Sequence, residues 1–445
     1  MQNLSFTEGK IMKPLVLFAV PVLFALFLQA MYGAVDLLVV GKFAGSADVS
    51  AVSTGSQIMT TLTNLVSSFA MGTTILLGQQ IGSGKKKEGG DTVCTAMMMF
   101  AVIGAIMTVI LVFFAPQLCR LMNAPTEAFD KTVTYVRICG GGMLVVIAYN
   151  LIGCIFRGLG DSRTPLVTVA IACACNIAGD LILCGPFHMG TAGAAIATVF
   201  AQVISVIGSY FMIAKKELPF EIDRKNFAFH TSYLRRMIYF GAPIALQDLL
   251  VNISFLIILA IINSMGVVAS AGVGVAEKVC AFIMLISSAF MQSMAAFVAQ
   301  NYGAGKLDRA KKALHVGVAI SFGIGVCMFV ITFFHGDRMA GIFSSDAEVI
   351  LAAADYLKAY AIDCVFTAIF FCYIGYYNGI GKTRFVMVQG IVGAFCVRVP
   401  VSYIMSRQTD ASLFKIGLAT PASSVLQLIL CLGFMLYLTR ANRKN

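Results

Sequence analysis

Gly78-Gln79-Gln80-Ile81-Gly82-Ser83-Gly84-Lys85 returns 221 residues later as Ala299-Gln300-Asn301-Tyr302-Gly303-Ala304-Gly305-Lys306. A second stretch repeats at the same distance. Arg157-Gly158-Leu159-Gly160-Asp161-Ser162-Arg163 corresponds to Asn378-Gly379-Ile380-Gly381-Lys382-Thr383-Arg384. Two separate matches at one offset divide the chain into similar halves. Each stretch follows a long apolar run rather than a strand, so the glycines do not read as a nucleotide-binding fingerprint. They read as tight turns with glycine at positive φ and a basic residue anchoring the helix end.

The apolar runs around these turns set the fold class. Of 445 residues, 59% are hydrophobic and 12% charged, with a mean hydropathy of +0.88. Soluble proteins average about 25% charged residues, so the chain reads as an integral membrane protein. Runs long enough to span fall at 14–40, 50–80, 92–118, 131–157, 164–184, 191–214, 237–263, 268–299, 312–334, 350–377, 385–405 and 416–438. A bilayer requires about 20 apolar residues per helix. The expected fold is therefore all-α, with twelve transmembrane helices in two six-helix bundles. Six is even, so both halves insert the same way, giving a parallel pseudo-twofold repeat about the membrane normal. The expected organisation is an N-terminal lobe over 1–214, a cytoplasmic linker over 215–236 and a C-terminal lobe over 237–445.

Charge gives the orientation. Counting Lys and Arg on alternate loops, one set holds 22 and the other 7, with Arg137, Lys278 and Arg398 inside spans or near their ends. The richer set should face the cytoplasm, both termini with it. The net charge of +11 is then loop charge, and no nucleic-acid partner is expected. No cleavable signal reads out of Met1 to Lys13, and a multi-pass protein of a prokaryotic inner membrane is expected. The thirteen Cys lie mostly in apolar runs without metal spacing, as free thiols.

Against this background, Asn176-Ile177-Ala178-Gly179-Asp180 stands out in the middle of an apolar run. Positions four apart share a helix face. A carboxylate at the bilayer centre costs roughly 2.5–3.5 kcal/mol on insertion scales. Asp36, late in the first run, and Thr198, early in the sixth, belong with it by depth. At 1.5 Å per residue, Asp180 lies ~24 Å from the inner end of its helix and Thr198 ~10 Å from the outer end of its own. One pocket in the outer half of the N-terminal lobe would hold all four. Two carboxylates close together in low dielectric resist double ionisation. They can take up a proton; with the Asn176 and Thr198 oxygens they also offer a hard site for Na⁺. Pro14 and Pro21 weaken the first helix and would let it bend on ion binding.

The two six-helix halves, the Gln-x-x-Gly-x-Gly-Lys turn and the Arg/Asn-Gly-x-Gly turn resemble the multidrug and toxic compound extrusion (MATE) family, nearly end to end. Asp36, Asn176, Asp180 and Thr198 resemble the acidic cluster of its DinF-like branch. The resemblance implies a cation-coupled antiporter, driven by H⁺ or Na⁺, that exports amphipathic, cationic drugs or toxic compounds by alternating access. It implies no enzymatic activity and no cofactor beyond the coupling ion. Its partners would be a small-molecule substrate and membrane lipid, and it would work as a monomer.

The second half lacks this cluster, with Val397 and Val401 at the positions corresponding to Asn176 and Asp180. It carries Gln247, Asp248, Glu277, Lys278, Asp363 and Arg398 instead. Asp248 with Lys278, and Asp363 or Glu277 with Arg398, are expected pairs. The set reads either as charge-paired structural or gating groups or as a second ion or substrate site. The rival function is a flippase for a lipid-linked oligosaccharide or peptidoglycan precursor, whose pyrophosphate would favour a cationic cavity. An intramembrane enzyme has no support, because no nucleophile and base stand at a recognisable spacing. The 23 Met read first as membrane packing and second as lining of an adaptable cavity.

Overall fold

In lipid, a backbone polar group finds no water, so each apolar run must satisfy its own peptide groups as helix. The structure is a computed structural model that describes residues 6–215, 218–220, 226, 228 and 230–444. Those residues form helices and connecting turns without a strand. The first half holds α1 (Met12–Phe43), α2 (Ser46–Gly82), α3 (Lys86–Phe113), α4 (Ala115–Leu121), α5 (Phe129–Gly141), α6 (Met143–Leu159), α7 (Arg163–Cys184) and α8 (Gly190–Ala214). The second holds α9 (Thr231–Asn263), α10 (Val267–Gly303), α11 (Leu307–Ala340), α12 (Ala347–Gly379), α13 (Thr383–Ile391), α14 (Val399–Ser406), α15 (Leu413–Gly417) and α16 (Ala419–Lys444). Among the described residues, eleven helices are long and apolar enough to cross a membrane, and a bent pair completes twelve. Of the expected linker, residues 216, 217, 221–225, 227 and 229 lie outside the described ones, Lys216, Arg224 and Lys225 among them.

The repeated turns have one geometry. Gly84, Gly160, Gly305 and Gly381 all take positive φ, between 71° and 84°. In each turn the next residue's N–H reaches back five positions, as in Lys85 to Gln80 O at 3.0 Å and Lys306 to Asn301 O at 2.8 Å. Such a reach needs a left-handed residue, which glycine adopts without steric cost.

Two spans are less regular than their apolar runs suggest. The fourth, expected as one helix over 131–157, breaks at Gly142 into α5 and α6, which meet at 54°. A Cβ on Gly142 would stand 2.6 Å from Val199 Cγ1, and one on Gly140 would stand 2.5 Å from Leu111 Cβ. Close approach of α8 and α3 thus demands glycine where glycine also loosens the helix. The eleventh span carries a π turn over Val392–Arg398 between α13 and α14. Pro400 offers no N–H to the carbonyl four residues earlier, and the ladder slips: Val399 N–H goes to Ala394 O.

By packing, the chain forms two units, Val20–Ala245 and Met1–Ala19 with Leu246–Asn445. Both divisions fall inside a helix near an internal proline, Pro21 in α1 and Pro243 in α9. The first unit has a core of residues such as Val52, Ile75, Phe100, Val136 and Ile147. The second packs Ile262, Val273, Val279, Leu357 and Ile416. All thirteen cysteines are free.

Candidate functional site

The site is built within the Val20–Ala245 unit by α1, α5, α7 and α8. Small residues bring α7 and α8 together: Gly193, Ala194 and Ala197 are buried between them, and a Cβ on Gly179 would lie 2.9 Å from Ala197 Cβ. That approach sets Asn176 and Asp180, one turn apart on α7, opposite Thr198 on α8.

The loop end of the hairpin is tied to α2. Asp48 accepts from Thr191 N (3.2 Å), Thr191 Oγ1 (2.8 Å) and Lys131 Nζ (2.6 Å). Its carboxylate caps α8 while pairing with the cation of α5. Gly190 takes φ +51°, and a Cβ there would stand 2.7 Å from Asp48 Oδ1.

The structure brings all four expected residues together. Asn176 Nδ2 donates to Thr198 Oγ1 at 3.4 Å, and Thr198 Oγ1 donates to Asp36 Oδ2 at 3.4 Å. The Asp36 and Asp180 carboxyls face each other. Asn176 and Asp180 are fully buried and Asp36 is 3% exposed. Four oxygens receive no hydrogen bond from the protein: Asp36 Oδ1, Asn176 Oδ1 and both of Asp180. A buried acceptor without a donor is costly. A proton shared between the carboxyls supplies one donor, and a small hard cation would satisfy several oxygens at once.

Sequence reasoning missed the surrounding groups. Tyr32 OH accepts from Gln202 Nε2 at 3.1 Å, and Tyr149 OH accepts from Gln29 Nε2 at 3.1 Å. Tyr135 and Cys139 of α5 are buried. Helical spacing carried the signal: Tyr32 precedes Asp36 by four positions and Gln202 follows Thr198 by four. Gln29, Tyr149, Asn150 and Arg157 line a small polar cavity of about 30 Å³, room for about one water.

The second polar set is dispersed. Asp363 accepts from Thr367 Oγ1 at 2.8 Å. Arg398 donates to Ser254 Oγ at 3.3 Å and lies 4.4 Å above the Phe255 ring. These two charges interact electrostatically without a direct ion pair. Gln247 is buried against Gly390, Asp248 O accepts from Asn252, Glu277 is half-buried near Tyr356, and Lys278 is exposed. No ion pair joins Asp248 to Lys278 among the described residues.

A family model described as MatE matches residues 21–182 and again 243–404. The two matches are 222 residues apart, one more than the turn repeat. The chain is 24% identical over 435 residues to "Probable multidrug resistance protein YoeA" of Bacillus subtilis (strain 168), covering 96% of this chain and 94% of that one. It is 21% identical over 403 residues to "Multidrug export protein MepA" of Staphylococcus aureus (strain MSSA476), covering 90% and 88%. Among solved structures, "Crystal structure of MATE in complex with MaL6" superposes with a TM-score of 0.93 at 18% identity, over 100% of both chains. An outward-facing multidrug resistance MATE family transporter gives 0.92 at 18% identity, over 100% of this chain and 99% of that one.

Proposed function

The chain belongs to the MatE family, a family of multi-pass membrane transporters, and on that premise we propose that it is a cation-coupled antiporter exporting amphipathic, cationic organic compounds. The coupling ion is H⁺ or Na⁺. One observation carries this reading: two buried carboxyls, Asp36 and Asp180, face each other beside oxygens that no protein donor reaches. Such a pair holds one positive charge more readily than none. Ion entry from outside neutralises the pair and changes the packing of α1, which Pro21 leaves one hydrogen bond short. Exchange of the ion for the exported compound then follows from competition for one lobe. The loop charges support cytoplasmic termini in an inner membrane, with the two lobes joined by the 215–236 linker and the protein acting as a monomer.

The test is efflux of a fluorescent cation from proteoliposomes, under a pH gradient alone and a Na⁺ gradient alone, for wild type and Asp180→Asn. Efflux driven by one gradient and lost in the variant is expected and names the ion. Gradient-driven efflux retained in Asp180→Asn, or no cation movement under either gradient, overturns the reading.

A further inference from the structure

Residues 6–10 are held against the second half. Phe6 is 1% exposed, its ring 5.1 Å from Phe18 and 5.0 Å from Phe297. Arg309 grips the segment through carbonyls: Nε to Phe6 O at 2.9 Å, Nη1 to Gly9 O at 2.6 Å and Nη2 to Glu8 O at 2.8 Å. Lys306 Nζ donates to Thr7 O at 3.0 Å. The docked segment walls one side of an open cleft of about 1220 Å³, bounded opposite by the start of α11 and the end of α16.

The lining of that cleft is strongly basic. Five cations, Lys10, Lys306, Arg309, Lys311 and Lys312, stand against the single carboxylate of Asp308. Arg309 is committed to the segment's carbonyls. Lys10, Lys311 and Lys312 have no acidic partner among the described residues.

The first half supplies an internal control. The residues 221 positions before Arg309, Lys311 and Lys312 are Glu88, Gly90 and Asp91. There, Lys85 pairs with Glu88 at 2.9 Å, and Asp91 accepts from Asn226 Nδ2 at 2.6 Å with His230 Nε2 at 3.6 Å. The turn thus sets two carboxylates against three lysines in the first half, and one carboxylate against four cations in the second. Helix anchoring needs a basic residue, but it does not need this imbalance.

We propose that the cleft beneath the N-terminal segment binds the phosphate headgroup of an anionic membrane lipid. Three unpaired ammonium groups, with the N–H groups at the start of α11, match a phosphate. Ile11, Met12 and Val316 border the cleft, and Met12 is 61% exposed, which suits acyl chains beside the headgroup. That apolar border favours a lipid over a soluble phosphate as the source.

The test uses the whole protein, delipidated in detergent and then offered phosphatidylglycerol or phosphatidylcholine, with retained lipid measured by mass spectrometry. Wild type should retain phosphatidylglycerol selectively. Lys10→Gln/Lys311→Gln/Lys312→Gln should lower retention roughly tenfold or more. Lys85→Gln/Lys87→Gln in the first half should leave it unchanged. If the triple variant does not fold, single Lys312→Glu serves in its place. Equal loss in both multiple variants would show bulk charge attraction and overturn the site. So would unchanged retention in the cleft variants. Displacement of the lipid by millimolar inorganic phosphate would overturn the lipid as the source.

Discussion

Gly179 and Ala197 approach so closely that a Cβ on the glycine would lie 2.9 Å from the alanine's. This contact fixes the distance between α7 and α8, and with it the distance from Asn176 to Thr198. Side chains of one atom or none are what membrane helices use to approach this closely. Gly179→Val should therefore force the helices apart, destabilising by about 1–3 kcal/mol, as overpacking does. Gradient-driven efflux should be lost with it. Gly208, on the same α8, faces open space. Gly208→Ala should stabilise slightly, by about 0.5–1 kcal/mol, and leave efflux intact. Equal behaviour of the two variants in thermal melts and transport would refute the packing explanation.

The Asp48 cap predicts unequal costs for its partners. Asp48 is 12% exposed at its side chain and accepts from both Thr191 and Lys131, whereas the Lys131 side chain is 47% exposed. Removing the carboxylate leaves the Thr191 donors without an acceptor, so Asp48→Ala should cost about 1–3 kcal/mol. Lys131→Met loses only a half-exposed ion pair and should cost less than about 1 kcal/mol. Melting temperatures in detergent check both. A Lys131→Met loss as large as that of Asp48→Ala would mean that the ion pair, rather than the cap, holds the hairpin.

Much of this site could be read from the sequence, because its determinants are local. Asn176 and Asp180 share a face by helical spacing alone, and depth along each span was enough to place Asp36 and Thr198 beside them. The turn glycines were equally legible, since positive φ leaves its residue type behind. What could not be read depends on groups far apart in the chain. Gly142 breaks its helix where Val199 presses on it, and nothing near Gly142 announces Val199. The docking of Phe6 on Arg309 joins positions 303 residues apart, beyond any periodicity. Lys278 and Asp248 were expected to pair on residue type, but no ion pair forms and Lys278 points outward.

Thr198 separates a positioning role from a charge role. Its hydroxyl receives from Asn176 and gives to Asp36, both at 3.4 Å, long for such bonds. Thr198→Val should weaken the apparent affinity for the coupling cation about tenfold, the low end for a lost hydrogen bond to a charged group. Thr198→Ser keeps the hydroxyl and should match wild type. Efflux measured against a series of imposed ion gradients provides the comparison. A Thr198→Ser defect as deep as that of Thr198→Val would make the methyl group, and packing, the important feature.

Arg309 predicts how firmly residues 6–10 are held. Its guanidinium donates to the carbonyls of Phe6, Glu8 and Gly9 and more weakly to Lys10 at 3.5 Å. A lysine carries the same charge but cannot present this planar fork. Arg309→Lys should therefore loosen the segment although charge is conserved. Trypsin cuts after lysine, and Lys10 lies at the exposed end of the held stretch. Opening of the segment should precede cleavage, so losing bonds worth about 1–3 kcal/mol should speed it roughly five- to 150-fold. Cleavage after Lys10 would be timed by mass spectrometry of the released peptide. Phe6→Ala, which empties the pocket between Phe18 and Phe297 while sparing Arg309, should also speed cleavage. Rates unchanged in both variants would mean that the segment is not held by these contacts.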